Sequence, residues 1–508
     1  MARLITTILM IFCLLTLSAC GSFTPIEPTP TPSPSLTSSA TLTPLPPTST
    51  ITATPQPSNT PLPPTLTPTP ISKTTARYTF TVDLSYDQRT AAVQMKIDYT
   101  NRSPDALTGL RLMIPPLAYP GAFSLKALQW ANGTAVEGMT WEENGLSIPL
   151  PAALQPGESL ALGIAYDLKF PSAASISGDR PVPFAYTARQ VNLVDWYPFV
   201  PPYQSGQGWL AHPNSYYGES LVYDLSDFDI SLRLTDTRTD LVVAASAPAQ
   251  IEGDRAHYVL ENARSFALSI SHEYQNAKTT IGGIEITSYY FAAHNLAGTS
   301  ATQITAEALA LFQERFAAYP HTTLAVVEAE FLDGMEYDGL YFVSRGMYNL
   351  YTGTPGEYFH ALIVHETAHQ WFYALVGNDQ AMEPWLDEAL CTYSELLYYE
   401  RYHPDAVSWW WDIRINYFHP SGWVNSSVYD HLGQPGNYDL YRNAVYFNGA
   451  VFLSELRQAI GDDVFFVFLH DYTQKNTGKI ATTQDFFSIL SAHTAIDLGP
   501  LRAGFFKE

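Results

Sequence analysis

The hydrophobic period changes once along this chain, and that change constrains its architecture more than any other feature. Up to about residue 276 the apolar residues come in short alternating runs: Tyr78–Leu84, Ala91–Tyr99, Leu110–Ile114, Ser159–Leu168, Asp227–Leu234 and Ala256–Ser271. Turn residues separate them, as in Asn101-Arg102-Ser103-Pro104 and Gln155-Pro156-Gly157. Side chains of a strand alternate between two faces, so this texture predicts an all-β saddle or sandwich. After Ile284–Phe291 the period lengthens. Thr305–Tyr319 puts Leu309, Phe312 and Phe316 on one side of an amphipathic helix that stops before Pro320. A strand is expected at Thr323–Glu328, then helices at Glu357–Val376, from Pro384 to about Arg401, and over Asn443–Ala459 and beyond. The fold class is therefore multidomain: an N-terminal β domain over 76–276 and a mainly α domain over 277–508.

The residues before that body read as an address and a spacer. Met1–Cys20 carries one cation, Arg3, ahead of an apolar stretch from Leu4 to Leu17. That stretch is shorter than the ~20 residues needed to span a bilayer and fits the core of a signal peptide. Leu17-Ser18-Ala19-Cys20 resembles the bacterial lipoprotein cleavage box, which implies cleavage before Cys20, a lipid on its sulfur, and an extracytoplasmic, membrane-anchored protein. Residues 21–75 are dominated by Thr, Pro and Ser, with Glu27 the only charge before Lys73. Proline fixes φ and removes a donor, so a disordered, extended linker of about 3 Å per residue is expected. Of the 508 residues, 26 are Lys or Arg and 49 are Asp or Glu, a net charge of −23. That balance repels a polyanion, so no nucleic acid partner is expected. Three cysteines cannot staple a chain of this length, so the structure must come from packing, helped at most by a metal.

His365-Glu366-Thr367-Ala368-His369 is an H-E-x-x-H pattern within the expected second helix. Positions i and i+4 share a helix face, so two imidazoles can converge on one Zn2+ while the glutamate reaches the water beside it. A catalytic zinc needs a third protein ligand and one open position. Glu388, separated from His369 by 18 residues, in Trp385-Leu386-Asp387-Glu388-Ala389-Leu390, can supply it. Asp387 and Glu383 are alternatives. Glu395, two turns after Glu388 on the same face, favours Glu388 because it could hydrogen-bond a ligating histidine from behind.

These residues match a known family. HETAHQWFYALVGND followed by WLDEALCTYSE resembles the aminopeptidase N and leukotriene hydrolase family of zinc peptidases, the gluzincins with H-E-x-x-H-x18-E. Asp333-Gly334-Met335-Glu336-Tyr337-Asp338-Gly339-Leu340 resembles the family's G-x-M-E-N exopeptidase loop, and Val445-Tyr446-Phe447-Asn448-Gly449 resembles its Y-x-K-G segment. The resemblance covers about residues 78–508. It implies a saddle domain followed by a thermolysin-like catalytic domain, and one Zn2+ per chain held by His365, His369 and Glu388. Glu366 is then the general base and Tyr446 the donor to the oxyanion. Glu336 pairs with the substrate's α-ammonium, and Gly334 and Met335 offer backbone groups to the peptide. The family also uses a second polar residue from the saddle domain at the amine, for which Gln190 is a candidate.

The chain departs from the family pattern in three places. Tyr337 stands where the commonest loop has Asn, and Asn448 replaces the Lys of Y-x-K-G. The chain ends at Glu508, without room for the large C-terminal helical domain of many relatives, so a more open cleft is expected. The leading expectation is a zinc metalloaminopeptidase acting on the N-terminal bond of peptides. A zinc endopeptidase or small-peptide hydrolase is the alternative, and a non-catalytic surface binding protein the third reading. Cys391 is expected to be a small buried core residue, and Trp409-Trp410-Trp411 to pack on the helical core.

Overall fold

A computed structural model describes residues 74–508 apart from 176–182, 216 and 435. The expected signal segment, Cys20 and the linker as far as residue 73 lie outside the described residues. The strand Ala76–Ser85 buries Tyr78, Phe80, Val82 and Leu84 on one face while Arg77, Thr79, Thr81 and Asp83 point the other way. It pairs antiparallel with Thr90–Thr100 and parallel with Ser226–Leu234. These strands form the centre of a seven-stranded sheet completed by Arg255–Ala263 and Gln250–Glu252 on one flank and Ser159–Lys169 and Phe123–Trp130 on the other. Two three-stranded sheets accompany it, one centred on Gly145–Leu154 and one on Leu268–Ser271. Trp196, Tyr197, Phe228 and Phe266 join Tyr78 and Phe80 in the core of this half.

A separate five-stranded sheet begins at Tyr274. Its order is Tyr274–Ile281, Ile284–Phe291, Thr323–Ala329, Leu340–Ser344 and Gly334–Tyr337. The strand Thr323–Ala329 is apolar at nearly every position because both faces of this sheet are covered. Leu324, Val326, Tyr341 and Val343 belong to the core shared with the helices. Ala325, Val327, Leu340 and Phe342 belong to the core shared with the β half.

Most expected elements occur near their expected bounds, with three informative differences. The expected strand Ala256–Ser271 is two strands, Arg255–Ala263 and Leu268–Ser271. Between them Arg264 turns inward, fully buried, and donates to the carbonyls of Ala374, Tyr223 and Lys479. The first helix runs over Asn295–Arg315 and so starts earlier than Thr305. Its first turns use small residues, because a Cβ on Gly298 would lie 2.1 Å from the Tyr290 ring. The helix carrying the H-E-x-x-H pattern spans Tyr358–Ala368 and stops well before Val376. Beyond it the chain folds into turns, with Ala374 N–H donating to His369 O and Val376 N–H to Trp371 O, and Tyr373 sits at a φ of 136°. Among the described residues, no helix is long and apolar enough to cross a membrane.

Candidate metal centre and active site

The motif helix Tyr358–Ala368 packs against the following helix, Trp385–Tyr402. His365, His369 and Glu388 meet at their contact, with ligand atoms all within 4.8 Å of one another. His365 Nε2 lies 3.1 Å and His369 Nε2 3.6 Å from Glu388 Oε2. The opposite ring nitrogens fix the tautomers. Glu395 Oε1 lies 3.1 Å from His365 Nδ1, and Phe372 O lies 3.0 Å from His369 Nδ1. A ring that donates from Nδ1 presents a lone pair at Nε2, so both imidazoles offer the atom a metal needs. Asp387 is buried beside the triad, while Glu383 accepts from Thr483 N–H at 2.9 Å. Neither joins the histidines.

Glu395 is fully buried yet well satisfied. Arg414 donates to both of its oxygens at 2.9 and 2.7 Å, and Trp410 Nε1 donates at 2.9 Å. Burial works to raise the carboxyl's pKa, but Arg414 and His365 outweigh it and hold the group below the usual carboxylate range. The anionic form therefore persists and orients His365. Of the tryptophan run, Trp410 clamps Glu395 and Trp409 packs against Tyr358. Cys391 is buried in the core, with Sγ 3.8 Å from Phe372 O.

Glu366 projects into the same space. Its Oε2 is buried and has no hydrogen-bond partner among the described residues, the state of a base waiting for a proton donor. Burial, and Glu388 nearby, push its pKa well up, against the pull of His365. Gly334 explains how Glu366 fits: a Cβ there would lie 2.0 Å from Glu366 Oε1. Glu336, on the strand Gly334–Tyr337, brings a carboxylate oxygen within 4.8 Å of ligand atoms of Glu366 and His369. Gln380 Nε2 donates to it at 3.1 Å. Burial first, then Glu219 and Glu388, raise the Glu336 pKa well above the ordinary value. Met335 lies on the same strand but packs against the β-half core. Tyr446 stacks on His365, with ring centroids 6.0 Å apart and planes 8° from parallel. It sits in a wide turn, Asn443–Asn448, leading into the helix Gly449–Ile460. Gly449 lets that helix approach the one bearing Glu388, since a Cβ there would lie 2.4 Å from that of Ala389.

Glu219 is the residue that sequence reasoning missed. It stands in a loop of the β half and lines the cavity beside Glu336 and Glu388. No periodicity or motif marks it. Gln190 is a correction: its amide donates to Tyr274 OH at 2.6 Å and Glu328 O at 3.1 Å and accepts from Glu330 N–H at 2.7 Å. It ties two sheets together and does not line the cavity. The cavity, of about 410 Å3, is lined by Glu219, Glu336, Glu366, the metal triad and Tyr446, and also by Tyr358, Leu362, Arg414, Phe418, Arg442 and Phe447. Carboxylates this close raise one another's pKa, and cations between them let them stay ionised. A divalent metal at the triad and an ammonium group beside Glu336 meet that need.

Residues 300–503 match the Peptidase family M1 domain. That stretch is similar to peptidase family M1. It contains the motif helix, Glu388 and the Tyr446 turn, and the family resemblance read from those segments holds. A 156-residue stretch is 28% identical to Aminopeptidase N of Lactobacillus helveticus, covering 29% of this chain and 18% of that protein. The match thus spans less than a fifth of that relative's length. Among solved structures, the M1 zinc metallopeptidase of Deinococcus radiodurans superimposes with a TM-score of 0.62 at 17% identity, over 86% of this chain and 95% of that one. A mutant of the Deinococcus radiodurans protein bound to a Tyr-Ser-Ala substrate gives 0.59 at 18% identity, over 86% and 95%. At such identities the likeness is one of fold, and that fold includes the β half.

Proposed function

We propose that this chain is a zinc-dependent metalloaminopeptidase that hydrolyses the N-terminal bond of peptides. The observation that carries this reading is Glu336: a buried carboxylate that reaches Glu366 and His369 yet is not needed to complete the His365, His369 and Glu388 triad. The donor set suits zinc, with two imidazole Nε2 atoms, one carboxylate and an orienting partner behind each histidine.

Bound there, zinc acts as a Lewis acid that makes water nucleophilic near neutral pH and polarises the scissile carbonyl. The chain's own groups do the rest. Glu336 and Glu219 pair with the substrate's α-ammonium, which fixes the first peptide bond over the triad. Glu366 Oε2 takes the proton of the attacking water and delivers it to the leaving nitrogen. Burial first, then Glu388, keep the Tyr446 phenol protonated, its pKa far above the ordinary value, so it can donate to the oxyanion. Gly334 contributes by being small: it leaves Glu366 its place. In family terms the β half is the saddle domain and the second half the thermolysin-like domain.

The address read from residues 1–20 puts this activity outside the cytoplasm, tethered through a lipid on Cys20; loss of the protein from the membrane fraction in Cys20→Ala tests that placement. The catalytic reading is tested by digesting a peptide and its N-acetylated twin with the zinc-loaded protein and locating the cuts by mass spectrometry. Stepwise loss from the free-amine peptide alone is expected. Internal cuts in both would replace this reading with that of an endopeptidase.

A further inference from the structure

The cavity has a direction. Tyr358, Leu362, His365, Glu366 and His369 all line it and lie along one helix. From Tyr358 to His369 that face runs about 16 Å at 1.5 Å per residue. The two ends carry opposite charge. At the His369 end stands Glu336, within 4.8 Å of His369 and Glu366 ligand atoms. At the Tyr358 end the walls carry Arg414, Arg442, Phe418 and Phe447, and Asp333 also lines the cavity, its charge bearing on Arg414. The Tyr358 hydroxyl donates to Ile413 O at 3.2 Å, which places Arg414 at that end. The charges of both Arg414 and Arg442 bear on the Tyr358 phenol.

The two guanidinium groups are not equivalent. Arg414 is committed to Glu395 through two charge-assisted bonds. Arg442 pairs with Asp439 at 2.9 Å, but that carboxylate's side chain is 64% exposed, so water competes for it. Its other bond is to the neutral Asn443 Oδ1 at 3.2 Å. Its Nε is buried without a hydrogen-bond partner among the described residues. Phe418 and Phe447 hold the group in place, with the guanidinium carbon 4.4 and 5.4 Å from their ring centroids. A buried donor on a cation lining a cavity is unsatisfied until an acceptor arrives, and a carboxylate is the acceptor that matches a guanidinium.

We propose that Arg442 receives the α-carboxylate of short peptides, so that this site selects substrates of three or four residues with both termini free. The proposal rests on the aminopeptidase reading for the direction in which the peptide lies. The amine meets Glu336 and Glu219, the first peptide bond lies at the triad, and the remaining residues run along Leu362 towards Tyr358. An extended chain covers about 3.3–3.6 Å per residue and a hydrogen bond at each terminus adds about 3 Å, so three or four residues bridge the two charged ends.

The test compares a tripeptide and a tetrapeptide with their C-terminal amides. For the zinc-loaded wild type, kcat/KM is expected to favour the free acids about ten- to a hundredfold, as for a charge-assisted hydrogen bond in a buried site. In Arg442→Gln that ratio falls to near one, and Arg442→Lys, which keeps the charge without the planar fork, retains part of it. Thermal melts of both variants check that the fold survives. The same acid and amide pairs are titrated calorimetrically into zinc-loaded Glu366→Ala, with and without Arg442→Gln, which reads binding without turnover. Acid preference that vanishes with Arg442→Gln supports the proposal even where no peptide is cut, whereas failure of the aminopeptidase reading shows separately, as cleavage of N-acetylated peptides. Equal kcat/KM or affinity for acid and amide in proteins retaining Arg442, or an unchanged ratio in Arg442→Gln, overturns it.

Discussion

Gly334→Ala isolates the role of Glu366. Gly334 lies in the strand Gly334–Tyr337, opposite Val343, and is not among the positive-φ glycines, so its backbone accepts alanine without strain. The added Cβ would stand 2.0 Å from Glu366 Oε1 and 2.4 Å from its Cδ. Nonbonded atoms settle near ~3.5 Å, so the carboxylate must retreat by roughly 1.5 Å. A displacement of about 1 Å at a catalytic group costs ~100-fold in rate, or ~2.7 kcal/mol on the barrier. The expected outcome is a kcat reduced about a hundredfold with zinc content unchanged, because the three atoms nearest that Cβ all belong to Glu366 and none to His365, His369 or Glu388. Peptide turnover and atomic absorption on the same preparation read the two quantities, and a melt confirms folding. A kcat within about threefold of wild type at full zinc occupancy would refute the reasoning, since Glu366 would then be either not the base or not confined by Gly334.

Glu395→Gln should act on both metal binding and folding. Losing the anion that orients His365 lowers zinc affinity about ten- to a hundredfold, read by competition with a chelator. It also leaves Arg414 buried without its counter-charge, costing about 3–5 kcal/mol in denaturant melts of the metal-free protein; an unchanged zinc affinity would sink the orienting role. Asp195, hydrogen-bonded by Tyr223 and Tyr337, has its pKa pushed up from 3.8 to about 6 by burial. A raised carboxyl stabilises the fold fully below its unfolded pKa, and that contribution is lost as pH rises through about 6. Relative to wild type, Asp195→Asn should therefore gain stability between pH 4 and pH 7, by at most about 3 kcal/mol at ~1.4 kcal/mol per unit. A stability difference that stays flat across that range in parallel melts would count against it.

The metal centre was legible in the sequence because a helix turns spacing into position. His365 and His369 share a face, and Glu388 and Glu395 lie on the next helix two turns apart, near enough to bond both sides of one imidazole. Glu336 and Tyr446 came from the family resemblance; spacing alone would have left them among many acids and phenols. Glu219 was illegible because a loop of the β half carries it across to the cavity, and no local pattern encodes such a meeting. The overrun of the motif helix has another cause. Trp371-Phe372-Tyr373-Ala374-Leu375-Val376 is apolar throughout, without glycine or proline, so its turns left no mark in composition. The merged strand Ala256–Ser271 failed at Arg264 because the buried positions Tyr258, Leu260, Phe266, Leu268 and Ile270 keep one phase across the break, with Arg264 on that same inward face, so the alternation gives no sign that the strand ends there.

Arg264 also implies an order of assembly during synthesis. Its guanidinium binds carbonyls of residues 223, 374 and 479, and only the first of these precedes it on the ribosome. At about 5–20 residues per second, residue 479 emerges on the order of ten to forty seconds after Arg264. Until then the turn that follows the motif helix lacks the last member of its anchor. The nascent chain therefore carries its β half and both histidines well before the loop beside them is pinned.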